Sequence, residues 1–160
     1  MARLEQLDTL NGSPLDVNAV IARACSESTA GSDHTPAICS ELRANLPPVM
    51  GDADYLQEAV RQLLDNARRF TPPEGTVTLA SGAEDGRVWI EVRDTGPGMD
   101  TALLKTVFET FGREDVARTT PGLGIGLSIA RKITEMHSGT LDVHSVPGEG
   151  STFRITLPVA

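Results

Sequence analysis

The chain is poor in the residues on which thiol and imidazole metal chemistry depend. It holds two cysteines and three histidines in 160 residues. Cys25 and Cys39 form no CxxC, and His34, His137 and His144 share no ligand spacing with them or with each other. Neither a disulfide framework nor a zinc site is indicated, and metal catalysis built on imidazole is disfavoured. Both cysteines read as small buried or half-buried apolar residues. Basic charge is also short: 14 Lys and Arg stand against 22 Asp and Glu, a net charge of -8. Such a surface repels nucleic-acid phosphate, which argues against a general DNA or RNA binder. No window approaches the run of about 20 apolar residues that a bilayer crossing needs, and the opening MARLEQLDTLNG lacks the order of a signal peptide. The expectation is a cytoplasmic stretch without membrane contact of its own.

What is present is one ordinary domain. A chain of this size buries roughly two-thirds of the surface its unfolded form exposes, so it needs neither disulfides nor a structural metal. Leu4, Leu7 and Leu10 repeat at a spacing of three before the turn-prone Asn11-Gly12-Ser13-Pro14. This reads as the end of a helix begun elsewhere, since about ten residues cannot hold a helix in water. Residues 16–29 form a second amphipathic helix capped by Asp16, and residues 37–43 a short strand, with Val49-Met50 extended after two prolines. Asp52 caps a third helix, whose Leu56, Ala59, Val60, Leu63, Leu64 and Ala67 make one apolar face. It ends near Phe70, ahead of Pro72-Pro73.

Residues 76–81 and 87–93 then read as a hairpin around a turn at 82–86. A tight loop follows at 94–98, then a short helix at 101–108 and an aperiodic, mobile stretch at 112–121. A long helix at 122–138 stops at Gly139, placed to serve as a left-handed cap. Residues 140–146 and 151–157 close the chain as a hairpin. No repeat or linker divides it after residue 14, so the elements form one layered α+β domain.

Three pieces carry chemistry. Gln62, Asn66 and Arg69 fall four and three positions apart, a polar stripe at the rim of the apolar face. An amide such as Asn66 offers a carbonyl oxygen to a hard cation, and Arg69 a charge for phosphate. The same stripe is equally what a solvated face looks like. Asp94-Thr95-Gly96-Pro97-Gly98 puts a carboxylate and two glycines at a strand end, either a ligand-binding loop or a plain turn. Gly122-Leu123-Gly124-Ile125-Gly126-Leu127 opens a helix with three glycines, each costing about 1 kcal/mol against alanine. Bare N–H groups at a helix start bind anions, but this is neither a Walker loop nor a Rossmann turn.

The order of these pieces is what is specific. Asp65-Asn66-Ala67 with Phe70-Thr71-Pro72, then Asp94 to Gly98, then Phe108-Glu109-Thr110-Phe111, then Gly122 to Leu127 resembles the catalytic ATP-binding domain of two-component sensor histidine kinases, in the GHKL superfamily. The closing Gly148-Glu149-Gly150-Ser151-Thr152-Phe153 and Leu157-Pro158 are similar to that family's C-terminus. The resemblance implies a two-layer α/β sandwich, a mixed and mostly antiparallel sheet packed on three helices. It divides the chain into residues 1–14, the end of a dimerisation-domain helix and linker, and residues 15–160, the ATP-binding domain.

It further implies ATP and Mg²⁺ as ligands. Asn66 would bind Mg²⁺ and Arg69 would meet the phosphates, the two residues given catalytic roles, with Phe70 beside the adenine. Asp94 would read the adenine amino group in a pocket shaped by Gly96 and Gly98. Gly122, Leu123, Gly124, Ile125, Gly126 and Leu127 would line the phosphate side, and Phe108 and Phe111 would anchor a lid over residues 110–121. Where the family often has a further Asn, four residues before the Mg²⁺ ligand, this chain has Gln62, a carbonyl oxygen on a longer arm. In related ATPases that position is a Glu that activates water; an amide cannot take that proton, so self-contained hydrolysis is disfavoured. Ser138 replaces the first glycine of the usual His-Gly-Gly. The acceptor string of such kinases is absent, and His34 lacks its context. The implied partner is therefore a histidine-bearing dimerisation domain of a homodimeric protein, with a response regulator downstream. An anti-sigma-factor type of serine kinase, or a nucleotide-responsive interaction module without transfer, are the alternatives.

Overall fold

Asp52 takes extended backbone and its carboxylate accepts hydrogen bonds from the N–H groups of Asp54 and Tyr55, satisfying donors that a helix start leaves bare. From there the central helix runs over eighteen residues. The computed structural model describes residues 12–28, 36–98 and 123–160. Their elements in order are β1 (Ser13–Leu15), α1 (Val17–Ser28), β2 (Ala37–Glu41), β3 (Val49–Gly51), α2 (Ala53–Phe70), β4 (Thr76–Glu84), β5 (Arg87–Asp94), α3 (Leu123–Met136), β6 (Thr140–Val146) and β7 (Gly150–Pro158). The expected helix at 101–108, the stretch at 112–121, residues 1–11 and His34 lie outside the described residues.

Five strands form one sheet in the order β2-β4-β5-β7-β6. Only β2 and β4 pair in parallel; the other pairs are antiparallel. The strands alternate, so Val77, Leu79, Val88, Ile90, Val92, Phe153, Ile155 and Leu157 all point to one face and are buried. The helices cover that face. α2 packs on both α1 and α3, burying Leu56, Ala59, Val60, Leu63, Leu64 and Ala67. Each fully buried aliphatic side chain contributes about 1.5–3 kcal/mol. The result is the expected two-layer sandwich, a mixed, mostly antiparallel sheet on three helices. No helix among the described residues is long and apolar enough to cross a membrane.

Several local expectations need correction. Ser13 and Pro14, read as part of a turn, belong with Leu15 to a strand that pairs antiparallel with Val49–Gly51 as a separate two-stranded ribbon. Pro14 is tolerated there because a strand paired on one side does not need every N–H. The first hairpin turns later than expected. Its strands continue through the Glu84↔Arg87 pair, and Asp85 and Gly86, at φ 52° and 74°, form the two-residue loop. Gly82 is instead a strand residue beneath Trp89, where a Cβ would stand 2.3 Å from the indole Cζ2. Arg154 lies over that ring at 4.5 Å from its centroid, a cation–π contact. β2 ends at Glu41, two residues short of the expected 43. Cys25 is half-buried as expected, but Cys39 is exposed, because it sits on edge strand β2 on the face away from the helices.

The end of α3 holds another correction. The left-handed residue is Ser138, at φ 61°, and not Gly139. Gly139 N–H donates to Thr134 O and Ser138 N–H to Glu135 O, each at 3.0 Å, the paired bonds of a Schellman cap. Gly139 is required for space: a Cβ there would lie 2.3 Å from Thr156 O. Between them and the helix, buried His137 ties two elements together. Its Nε2 accepts from Asp52 N–H at 3.0 Å, and its Nδ1 lies 2.8 Å from Ile133 O. A carbonyl only accepts and an amide N–H only donates, so the ring hydrogen resides on Nδ1.

A serine in the left-handed region costs about 1–2 kcal/mol. Ser138→Gly is expected to stabilise the domain by about 1 kcal/mol, a rise of about 2–4 °C in Tm. Thermal unfolding followed by circular dichroism checks this, and an unchanged or lower Tm would contradict it.

Candidate functional site

The polar stripe on α2 is graded from core to solvent. Asn66 is 7% exposed, Gln62 is half-buried and Arg69 is exposed. Asn66 Oδ1 is buried and receives no hydrogen bond from the described residues. A buried carbonyl oxygen without a donor forgoes about 1–3 kcal/mol of hydration, and Asn66 Oδ1 has the capacity to accept from a donor or a cation. Gln62 differs, because its Nε2 donates to Glu58 Oε2 at 2.5 Å. No carboxylate of the described residues pairs with Arg69, which leaves its charge available to an anion.

The C-terminal end of α2 meets a second piece at the end of β5. Asp94 Oδ1 accepts from Gly96 N–H at 2.9 Å and from Ser151 N–H at 3.3 Å. Both donors converge on one oxygen, and Oδ2 accepts nothing from the described residues. Backbones crowd around this loop from two sides. A Cβ on Gly96 would stand 2.7 Å from Phe70 O, at the end of α2. One on Gly98 would stand 2.2 Å from Val146 O, and one on Gly150 1.9 Å from Asp94 O. Gly98 and Gly150 also hold φ of 70° and 109°, where a side chain is strained as well as crowded. Gly148 N–H donates to Pro97 O at 2.7 Å. The Asp94 loop, the C-terminal end of α2 and the β6–β7 turn are thereby locked into one floor.

The third piece arrives through α3. His137, just past its C-terminal end, bonds Asp52 at the N-terminal end of α2, and the two helices pack together. They therefore run antiparallel. At about 1.5 Å per residue, Asn66 lies about 20 Å along α2 and the start of α3 about 21 Å back from its end. The backbone of Leu123, Gly124, Ile125 and Gly126 thus begins α3 level with Asn66, its N–H groups and dipole favouring negative charge there. The side chains of residues 123–126 are not described, and Phe108, Phe111 and Gly122 lie outside the described residues. Leu127 is fully buried and belongs to the core. Phe70 is half-buried against the core and meets the loop through its carbonyl.

Residues 51–160 match the family described as histidine kinase-, DNA gyrase B-, and HSP90-like ATPase. The chain belongs to this family. It is 37% identical to the adaptive-response sensory kinase SasA of Synechocystis sp., over 76% of this chain and 32% of that protein. The mycobacterial sensor histidine kinase MprB superposes with a TM-score of 0.75 at 30% identity, over 92% of this chain and 97% of that structure. Full-length ShkA in complex with AMPPNP gives a TM-score of 0.77 at 26% identity, over 98% of this chain and 34% of that one. The chain spans about a third of the length of the curated relatives it matches.

Sequence reasoning missed that Gly150 and Ser151 meet Asp94. Their backbone, not a reactive side chain, makes the contact. The one signal was a turn with two glycines, Gly148 and Gly150, where a tight hairpin needs fewer.

Burial holds the Asp94 carboxyl above the ordinary aspartate value, against the opposing pull of the Gly96 and Ser151 N–H groups. An acid with a raised folded-state pKa lends stability while protonated, and that stability is lost as pH rises through the raised value. At neutral pH the ionised group therefore costs the nucleotide-free domain stability. Asp94→Asn removes the charge and keeps the oxygen that both N–H groups bond. The variant is expected to melt at or above the parent at pH 7, with the gap narrowing toward the ordinary aspartate range. A clearly lower melting point at pH 7 would refute the assignment.

Proposed function

We propose that residues 15–160 bind Mg-ATP and deliver its γ-phosphoryl group to a histidine on a separate dimerisation domain, within a sensor kinase of which this chain is the catalytic part. The reading is supported by the close approach of the Asp94 loop to Phe70 O at the end of α2 and by the helix lengths that put the start of α3 level with Asn66. Asp94 Oδ2 accepts from the adenine amino group, an interaction a buried carboxylate with one oxygen unengaged is suited to make. The glycine-walled floor sets the depth of the pocket, since any side chain at Gly96 or Gly98 would push the loop off Phe70 O or Val146 O. Arg69 and the α3 N–H groups hold the phosphates. The bound AMPPNP of ShkA, an ATP analogue, supports nucleotide binding in this fold.

The unbonded Asn66 Oδ1 is the hard, neutral oxygen that Mg²⁺ prefers, so the residues present fit the ion. When bound, Mg²⁺ neutralises phosphate charge. The chain's own residues then supply positioning, which is most of what phosphoryl transfer asks of a protein. The acceptor imidazole nitrogen bonds to Pγ as the bond from Pγ to the β–γ bridging oxygen breaks, and ADP remains behind. Among the described residues of α2 no carboxylate is free to act as a base for water, so water is a poor competitor. Gln62 is an amide, and the nearby Glu58 carboxylate is engaged by Arg61 and Gln62.

Mixing this chain with a histidine-bearing dimerisation domain and γ-labelled ATP is expected to give acid-labile, base-stable phosphate on the acceptor. Asn66→Ala should lower the yield by at least about tenfold, since loss of even an outer-shell partner at a metal site typically costs about 10–100-fold. Asp94→Asn should abolish ATP binding. Nucleotide binding without phosphohistidine would overturn the reading in favour of an interaction module, and acid-stable phosphate on a partner serine would replace it with a serine kinase.

A further inference from the structure

One side chain on α2 stands outside every role given so far. Glu58 is only 17% exposed and lies one turn before Gln62, which lies one turn before Asn66, so the three share a helix face. Arg61 Nη2 reaches Glu58 Oε2 at 2.5 Å and Arg61 Nη1 reaches Asp65 Oδ2 at 2.8 Å. The same Glu58 Oε2 accepts from Gln62 Nε2 at 2.5 Å. The Gln62 amide thus faces that oxygen with its NH₂ end. Its two branches diverge by about 120° at the planar Cδ, so the oxygen is turned away from Glu58. Gln62 Oε1 accepts no bond from the described residues. Neither does Asn66 Oδ1, four residues along the same face.

We infer that Glu58 is a positioning residue, whose carboxylate orients Gln62 so that Oε1 joins Asn66 Oδ1 as a second carbonyl oxygen toward Mg²⁺. Gln62 is thereby a metal ligand held on a tether instead of a longer-armed substitute that fails to reach. A free glutamine side chain loses about 1.5–2 kcal/mol of rotamer entropy when it is fixed; Glu58 fixes it before the ion arrives. Arg61 offsets the Glu58 charge, so Glu58 acts on Gln62 and does not compete for the cation itself. The inference rests on the reading of Asn66 as a Mg²⁺ ligand.

The test measures AMPPNP affinity by calorimetry with Mg²⁺ and with chelator, and Mn²⁺ affinity of the AMPPNP complex by electron paramagnetic resonance. Both are readouts independent of phosphoryl transfer. Asn66→Ala, Gln62→Ala, Glu58→Ala and Glu58→Gln are compared with the parent, each first checked for an unchanged thermal melt. Asn66→Ala should abolish the gain in affinity that Mg²⁺ gives. Gln62→Ala and Glu58→Ala should each weaken Mn²⁺ binding about tenfold, while affinity without metal stays at the parent value. Glu58→Gln keeps an acceptor oxygen for Gln62 Nε2 but breaks the ion pair with Arg61, and should retain Mn²⁺ affinity near the parent.

If Asn66→Ala abolishes metal dependence while Gln62→Ala or Glu58→Ala leaves it intact, the tether is overturned and the proposed function stands. If Glu58→Gln behaves as Glu58→Ala, the ion pair and not the orienting bond is what matters, and the tether is again overturned. If Asn66→Ala itself leaves metal dependence unchanged, the Mg²⁺ assignment of Asn66 fails, and the tether with it.

Discussion

The site depends on backbone meeting backbone where three elements cross. The Asp94 loop passes under Phe70 O and against Val146 O and Gly150, at separations where a single Cβ would overlap a carbonyl. Glycine at 96, 98 and 150 is therefore a condition of assembly, not a matter of flexibility. The crossing buries Asp94 enough to raise its pKa, and it also supplies the two N–H groups that partly counter the rise. An ionised carboxylate in such a place is costly without a ligand and becomes useful with one, a common pattern at functional sites. The pocket floor and the chemistry of its carboxylate thus share one cause.

Around that crossing, α2 serves both the core and the site. Its apolar face is wide enough to pack on α1, α3 and the sheet, and its polar edge carries Glu58, Gln62, Asn66 and Arg69. Because core packing holds the helix rigid, the polar edge has little freedom to adapt. Asn66 is left with a buried oxygen and no donor, an exception to the usual satisfaction of buried polar atoms. At the other end, Asp52 serves as both cap and docking point. Its side chain closes the start of α2, and its N–H meets His137. That single bond helps to set α3 antiparallel to α2, which brings the glycine-rich start of α3 level with Asn66.

What could be read in advance followed from periodicity and from stop signals. The apolar face of α2, its Asp52 cap and its end at Phe70 were all legible, because each depends on neighbours within one or two turns. The motif order was legible too, since Asn66, Asp94 and the glycines of α3 are distinctive residues in a distinctive sequence. Glycine and cysteine misled where the reading had to assume a reason for their presence. Gly82 marked the underside of Trp89 and not a turn, Gly139 marked the approach of Thr156 O and not a left-handed residue, and Cys39 faced solvent because β2 is an edge strand. The same glycine serves a turn or a close contact, and only the partner strand distinguishes the two.

By itself the amino-acid sequence determined the three described helices, the five strands of the sheet, the family and the identity of the groups that bear charge or carbonyl oxygen. These follow from local spacing and side-chain chemistry, which a linear chain carries in full. The tertiary structure alone decided that Gly150 and Ser151 complete the Asp94 loop, that His137 orients α3, and that Glu58 holds the amine end of Gln62. The first two join residues from 57 to 85 positions apart, beyond the reach of any periodicity. The last spans one helical turn, yet which end of the amide faces which neighbour depends on rotamers that spacing cannot specify.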